Sequence, residues 1–202
     1  MTYALNRWLS TQVRCAAWVE LTRARFAAWP RAFDQISKEW LSSVLDGTVV
    51  SFDSKILEGG ALSDTTLIHN VKFAGAEGKA DSLVVKYSKG IEGARGLAMA
   101  TNSYVNEINF YEQIGENIGV RVPKVYGVFR DEEKPDEWFC LALENMSVEA
   151  TVQEAIKGVS FEDHKTLLKL AGDMHGRMYG AEETKFDWVD RAGADGSWCE
   201  EH

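Results

Sequence analysis

An α+β fold built on a five-stranded antiparallel sheet is what this sequence predicts, and three observations carry that expectation. Runs of β-branched and aromatic residues come as three strands, one helical stretch and two more strands, not as the repeated strand–helix–strand units of a doubly wound sheet. Glu58 to Asp64 reads as a glycine-containing hairpin bend, and Asp131 to Glu137 as an acidic, proline-containing turn. Beyond Glu144 the pattern turns helical.

Taken in order, Ile36 to Leu45 spaces its apolar residues as a short amphipathic helix, with Ser37 as its cap and Gly47 just past its end. Thr48 to Leu57 alternates as a first strand and Thr65 to Phe73 as a second. Gly75, Gly78 and the charged residues around them form a loop before a third strand that ends near Lys86. Ser88 to Gly96 is a glycine-bearing connection into a helix expected over Leu97 to Asn117, with Gly119 as its stop. Val125 to Arg130 and Trp138 to Leu143 are the remaining strands. Val148 to Lys157 reads as a short helix. Ser160 with Asp163 resembles a capping box that opens a longer helix, whose stripe is Leu167, Leu168, Ala171, Met174, His175 and Met178. His175 is read as a core histidine satisfied by a hydrogen bond rather than a catalytic one.

Composition narrows the function classes. The chain has 202 residues, 45% hydrophobic and 26% charged, with seven Trp and nine Phe, which describes a globular protein with a real core. No stretch approaches the ~20 apolar residues of a membrane span. A net charge of −9 argues against a broad nucleic-acid footprint while leaving room for a local phosphate site. Residues 1–33 oppose that trend, with five Arg against one Glu, so the remainder carries −13. This basic, aromatic extension, counted as residues 1–35, suits an amphipathic helix packed on the domain, a non-native extension, or a mitochondrial or plastid targeting segment. Cys15, Cys140 and Cys199 are odd in number and far apart, which fits a reduced, cytoplasmic compartment. His164 and His175 would lie about 16 Å apart along a helix, too far to share a metal ion.

The most chemically pointed pair is Lys86 and Glu107. Lys86 closes the apolar run Leu83-Val84-Val85, while Glu107 falls in a helical stripe with Ala100, Ser103, Tyr104, Tyr111, Ile114 and Ile118, all within roughly 60° of its direction. An ionised carboxylate on a buried face costs several kcal/mol unless a cation and hydrogen bonds meet it. Lys86 on a neighbouring strand is the nearest candidate. The alternative is a Glu107 that snorkels from the edge of the stripe.

The bend Gly59-Gly60-Ala61-Leu62-Ser63-Asp64 could offer backbone N–H groups and the Ser63 hydroxyl to a phosphate, or be an ordinary hairpin turn. The chain contains no G-x-x-x-x-G-K-[ST] run, and no G-x-G-x-x-G between a strand and a helix. The bend is followed at intervals by Lys86, by Asn106-Glu107-Ile108-Asn109-Phe110-Tyr111, by Val122-Pro123-Lys124-Val125-Tyr126, by Leu141-Ala142-Leu143-Glu144-Asn145-Met146 and by Leu170-Ala171-Gly172-Asp173-Met174-His175. With these pieces, from about Ile36 to Trp188, the chain resembles the aminoglycoside phosphotransferase and choline-kinase-like family, particularly its ecdysteroid-kinase-like branch.

The resemblance implies a protein-kinase-like N-terminal lobe over 36–143, then a hinge and the first helices of a C-terminal lobe over 144–202. It implies that Gly60 and Ser63 cover the phosphates of ATP, that Lys86 contacts them, that Glu107 holds Lys86, and that backbone groups of Glu144 and Met146 bond the adenine edge. On the residues alone, Glu144 could equally be a solvated charge at a strand end. The family's catalytic loop, with its aspartate base and metal-binding asparagine, should follow the helix of Met174 and His175. Neither His164-Lys165-Thr166 nor His175-Gly176-Arg177 begins an H-x-D motif, and Asp187-Trp188-Val189 is no D-F-G. No catalytic or metal-binding residue is therefore assigned, and Mg²⁺ is expected only in a complete family member.

The expectation is a truncated small-molecule kinase with an ATP-binding lobe, related to phosphorylation of a hydroxyl on an unidentified acceptor. The alternative is a catalytically inactive kinase-like module that self-associates or docks on a protein partner through an exposed C-lobe helix.

Overall fold

The computed structural model describes residues 29–75, 80–151 and 158–179, together with Phe186 and Trp188. It resolves into two compact units, one comprising residues up to Gly115 with Val122–Val152, the other Glu116–Arg121 with Gln153–His202.

The first unit is α+β. Helix α1 spans Lys38–Val44; Ser37 caps it, its hydroxyl accepting the Trp40 N–H at 3.2 Å, an arrangement worth about 1 kcal/mol over alanine. It closes as a Schellman turn, with the Gly47 N–H on the Ser42 carbonyl at 3.1 Å and Asp46, at φ 51°, in the left-handed position. Strands β1 (Val49–Leu57), β2 (Ser63–Phe73), β3 (Leu83–Ser88), β4 (Val125–Arg130) and β5 (Phe139–Glu144) form one sheet in the order β1-β2-β3-β5-β4. Every pairing is antiparallel.

Strand alternation divides the core between the two faces of the sheet. On one face Trp40, Leu41 and Val44 of α1, with Leu45 just past its end, pack against Ile68, Leu83, Val85, Tyr87, Phe129 and Cys140. On the other face lie Ala98, Tyr104, Ile108, Val128, Phe139, Leu141 and Leu143. Helices α2 (Glu92–Ala100) and α3 (Ser103–Asn109) supply the helical part of this second cluster, and a π turn over Phe110–Ile114 continues α3.

The single helix expected over Leu97–Asn117 is therefore two helices and a π turn. The break has a local cause. Thr101 turns its hydroxyl back onto the Leu97 and Ala98 carbonyls at 2.9 and 3.3 Å, and Asn102 adopts φ 51°, a conformation asparagine tolerates better than most residues. The break resets the helical phase, so Ala100, expected on the buried stripe, is exposed, while Tyr104, Ile108 and Ile114 are buried.

In the second unit α4 spans Phe161–Met178 and opens with the capping box expected from the sequence: the Ser160 hydroxyl accepts the Asp163 N–H at 3.1 Å and donates to its carboxylate at 2.7 Å. Leu167, Leu168 and His175 are exposed. His175 is thus exposed, not the core histidine expected, while Ala171, Met174 and Met178 of the same stripe are half-buried. The helix expected over Val148–Lys157 falls largely outside the described residues; its start is a short 3₁₀ turn, Met146–Val148. The basic segment 1–33 lies outside them up to residue 28. Among the described residues no helix is long and apolar enough to cross a membrane.

Candidate functional site

The site assembles on the α3 side of the sheet. Lys86 pairs in register with Thr65 of β2 and Leu141 of β5, so its side chain stands on the face that carries Leu141 and Ile108. From α3, Glu107 reaches down to it. Lys86 Nζ donates to Glu107 Oε1 at 2.6 Å and to Oε2 at 2.7 Å. The two side chains remain 29% and 25% exposed, so the pair is sheltered but open to solvent on one side. An ammonium has three protons; two meet the carboxylate, and the third has no partner among the described residues. Glu107 does not snorkel free of the sheet; the cation on β3 meets it.

Rows of paired residues give the surroundings of Lys86. Thr65, Lys86, Leu141 and Val128 form one row across four strands; Leu67, Val84, Leu143 and Val125 form the next. The second row is apolar and, apart from Leu143, only half-buried. It lies about 7 Å from the lysine row along the strands. On the opposite side of the lysine row, at a similar spacing, β2 begins at Ser63, paired with Ser88, and the glycine bend leads into it.

The bend depends on its glycines. Gly59 has φ +109°, and a Cβ on Gly60 would stand 2.1 Å from the Ser63 carbonyl oxygen. Ser63 itself is buried. Lys89 holds the bend from beneath: its ammonium donates to the Gly60 carbonyl at 3.0 Å and lies 2.7 Å from Asp64 Oδ1. The Gly90 N–H reaches Asp64 Oδ2 at 3.0 Å. Tyr104 of α3 donates its hydroxyl proton to the Leu62 carbonyl and accepts the Lys89 N–H at 3.1 Å. Arg95 of α2 stacks on Trp138 at 4.6 Å and donates to the Lys89 carbonyl at 3.1 Å.

Sequence reasoning missed Lys89 and the hydroxyl of Tyr104. The available signal was the position of Tyr104 on the buried stripe, since a buried phenol needs a hydrogen-bond partner. Burial pushes the Tyr104 phenol above its ordinary range, against the hydrogen bond from Lys89. Tyr111 is raised too, by burial and then by the negative charge of Glu107.

The segment expected to act as a hinge leaves the apolar row directly. Glu144 is half-buried at the strand end: its N–H donates to the Lys124 carbonyl at 2.8 Å, and its carboxylate accepts the Lys124 N–H at 2.8 Å. That N–H is therefore committed to protein. Met146 opens the 3₁₀ turn, which Asn145 caps by accepting the Ser147 N–H at 3.1 Å. Of the expected residues, Lys86 and Glu107 are in direct contact, Ser63 and the bend with Gly60 lie to one side of the Lys86 row, and Glu144 and Met146 follow the apolar row on its other side. Among the described residues no group of three or more His, Cys, Asp or Glu side chains could hold a metal ion. Compared with known proteins, the chain matches no family model and no curated protein.

Proposed function

We propose that the first unit is a kinase-like nucleotide-binding lobe, similar to that of aminoglycoside phosphotransferases and choline kinases, which binds ATP for phosphorylation of a hydroxyl on a small molecule. The observation that carries this reading is the bidentate Lys86–Glu107 contact between a glycine bend and a half-buried apolar row. Glu107 orients the ammonium and leaves one proton for a phosphate oxygen. The bend would cover the phosphates, and the row of Leu67, Val84, Leu143 and Val125 offers a flat apolar surface for a base. The carbonyl of Glu144 and the backbone of Met146 stand next to that row in the chain, where an adenine edge would need polar partners.

ATP would supply the transferable phosphoryl group; Lys86 and the bend would hold it in place. The described residues offer no carboxylate set for magnesium, and these 202 residues contain no H-x-D or D-F-G motif. Binding is therefore the activity proposed for this unit, and no base is assigned. Titration of ATP with Mg²⁺ by calorimetry against wild type and Lys86→Ala tests it. Saturable binding by wild type and a loss of tenfold or more in the variant is expected, on the order of the cost of one charge-assisted hydrogen bond. Equal binding, or none by either protein, ends the nucleotide reading.

A second reading, a kinase-like scaffold that docks on another chain, is favoured by the exposure of Phe161, Leu167, Leu168 and Leu170 on α4. Sedimentation of wild type and Leu168→Glu separates it from a monomeric binder: concentration-dependent association lost in the variant supports docking.

A further inference from the structure

The geometry points to Tyr104 as a positioning residue that couples the glycine bend to the Lys86–Glu107 pair through α3. Its consequence for ligands rests on the nucleotide reading above; its mechanics do not.

Tyr104 and Glu107 are three residues apart, hence on one side of α3, yet they grip different parts of the sheet. Glu107 holds the middle of β3 through Lys86. Tyr104 holds the bend at Leu62 and the segment just after β3 at the Lys89 N–H. A ring alone would satisfy the packing, because Tyr104 is 1% exposed and stacks 4.5 Å from Phe139. The hydroxyl does something packing does not require: it satisfies one carbonyl and one N–H from two separate loop segments. Lys89 completes the circuit, its ammonium on Gly60 and Asp64 while its N–H is on Tyr104.

The bend is thus tethered at Leu62 from the helix and at Gly60 from Lys89. A shift of α3 that separates Glu107 from Lys86 also pulls Tyr104 from Leu62. The lysine and the loop that would cover the phosphates become competent together, and loss of either grip loosens the other.

The test uses the full chain and two readouts. Tyr104→Phe keeps the stacked ring and removes the hydroxyl. Backbone amides of residues 60–64 and of Lys89 should exchange with solvent about fivefold to tenfold faster in this variant, while those of β4 and β5 keep their rates. Glu107→Gln, which touches no part of the bend, should accelerate the same amides; Lys89→Met repeats the test from the other tether. In binding, Tyr104→Phe should weaken ATP about fivefold to tenfold and leave adenosine unchanged, a split that a general loss of stability would not produce. Unchanged exchange in the bend of Glu107→Gln, or equal weakening of ATP and adenosine by Tyr104→Phe, overturns the proposal. If wild type binds neither ligand, the nucleotide reading fails, and the exchange rates still decide whether α3 couples the two grips.

Discussion

Lys86 and Glu107 stand 21 residues apart in the chain and meet with both carboxylate oxygens on one ammonium, at 2.6 and 2.7 Å. Because each side chain is about three-quarters covered, the pair is weaker than a fully buried one and stronger than a surface contact. In a double-mutant cycle of Lys86→Met and Glu107→Gln, followed by urea unfolding, each single change should destabilise. The double change should cost less than their sum, by about 1–2 kcal/mol. Strict additivity would mean that the contact contributes nothing in solution.

Gly60 has no space for a side chain, since a Cβ there meets the Ser63 carbonyl at 2.1 Å. Gly60→Ala should force the bend open and lower stability by about 1–3 kcal/mol. Gly75→Ala is the control, because a Cβ there meets nothing within 4 Å. Equal melting temperatures for the two variants would contradict the tight bend.

Stability should decline at alkaline pH. Burial raises the phenols of Tyr87 and Tyr104 in the folded protein, so the unfolded chain gives up these protons first, from roughly pH 10. Folding then retains protons that unfolding releases, and stability falls as pH rises through the folded values, while below pH 10 the contribution is fully present. Tyr104→Phe should show a shallower alkaline decline than wild type in denaturant titrations across this range. A decline of the same steepness would assign it to other groups.

Cys140 lies within the sheet, fully buried, and desolvation pushes its thiol well above the ordinary range. In a chain carrying Cys15→Ser and Cys199→Ser, thiol reagents should modify Cys140 only at the rate at which the sheet opens. Mild urea should accelerate labelling in parallel with unfolding. Rapid modification of the native protein would place Cys140 outside the core.

Much of the secondary structure was legible because its causes are local. Alternation marked β1 and β2, and short runs on either side of the acidic turn marked β4 and β5, all to within about two residues; Ser37 and Ser160 announced the helix starts, and the apolar run before Lys86 marked β3. The sequence also singled out Glu107 as an acid that needs a cation. The break at Asn102 was not legible, since neither Thr101 nor Asn102 is a proline or glycine, and its cause, a hydroxyl turned back on the Leu97 and Ala98 carbonyls, shows only in the structure.

By itself, then, the sequence determined the α+β composition, the order of the elements and the identity of an acid in need of a cation, with Lys86 as the candidate. Tertiary structure alone decided the strand order β1-β2-β3-β5-β4, the rows that set Lys86 between an apolar strip and the glycine bend, the tie from Tyr104 to Leu62, and the commitment of Glu144 to Lys124. The reason is physical. Helix caps and strand alternation depend on neighbours a few residues away, whereas register and side-chain-to-backbone bonds are fixed only when segments distant in the chain are packed against each other.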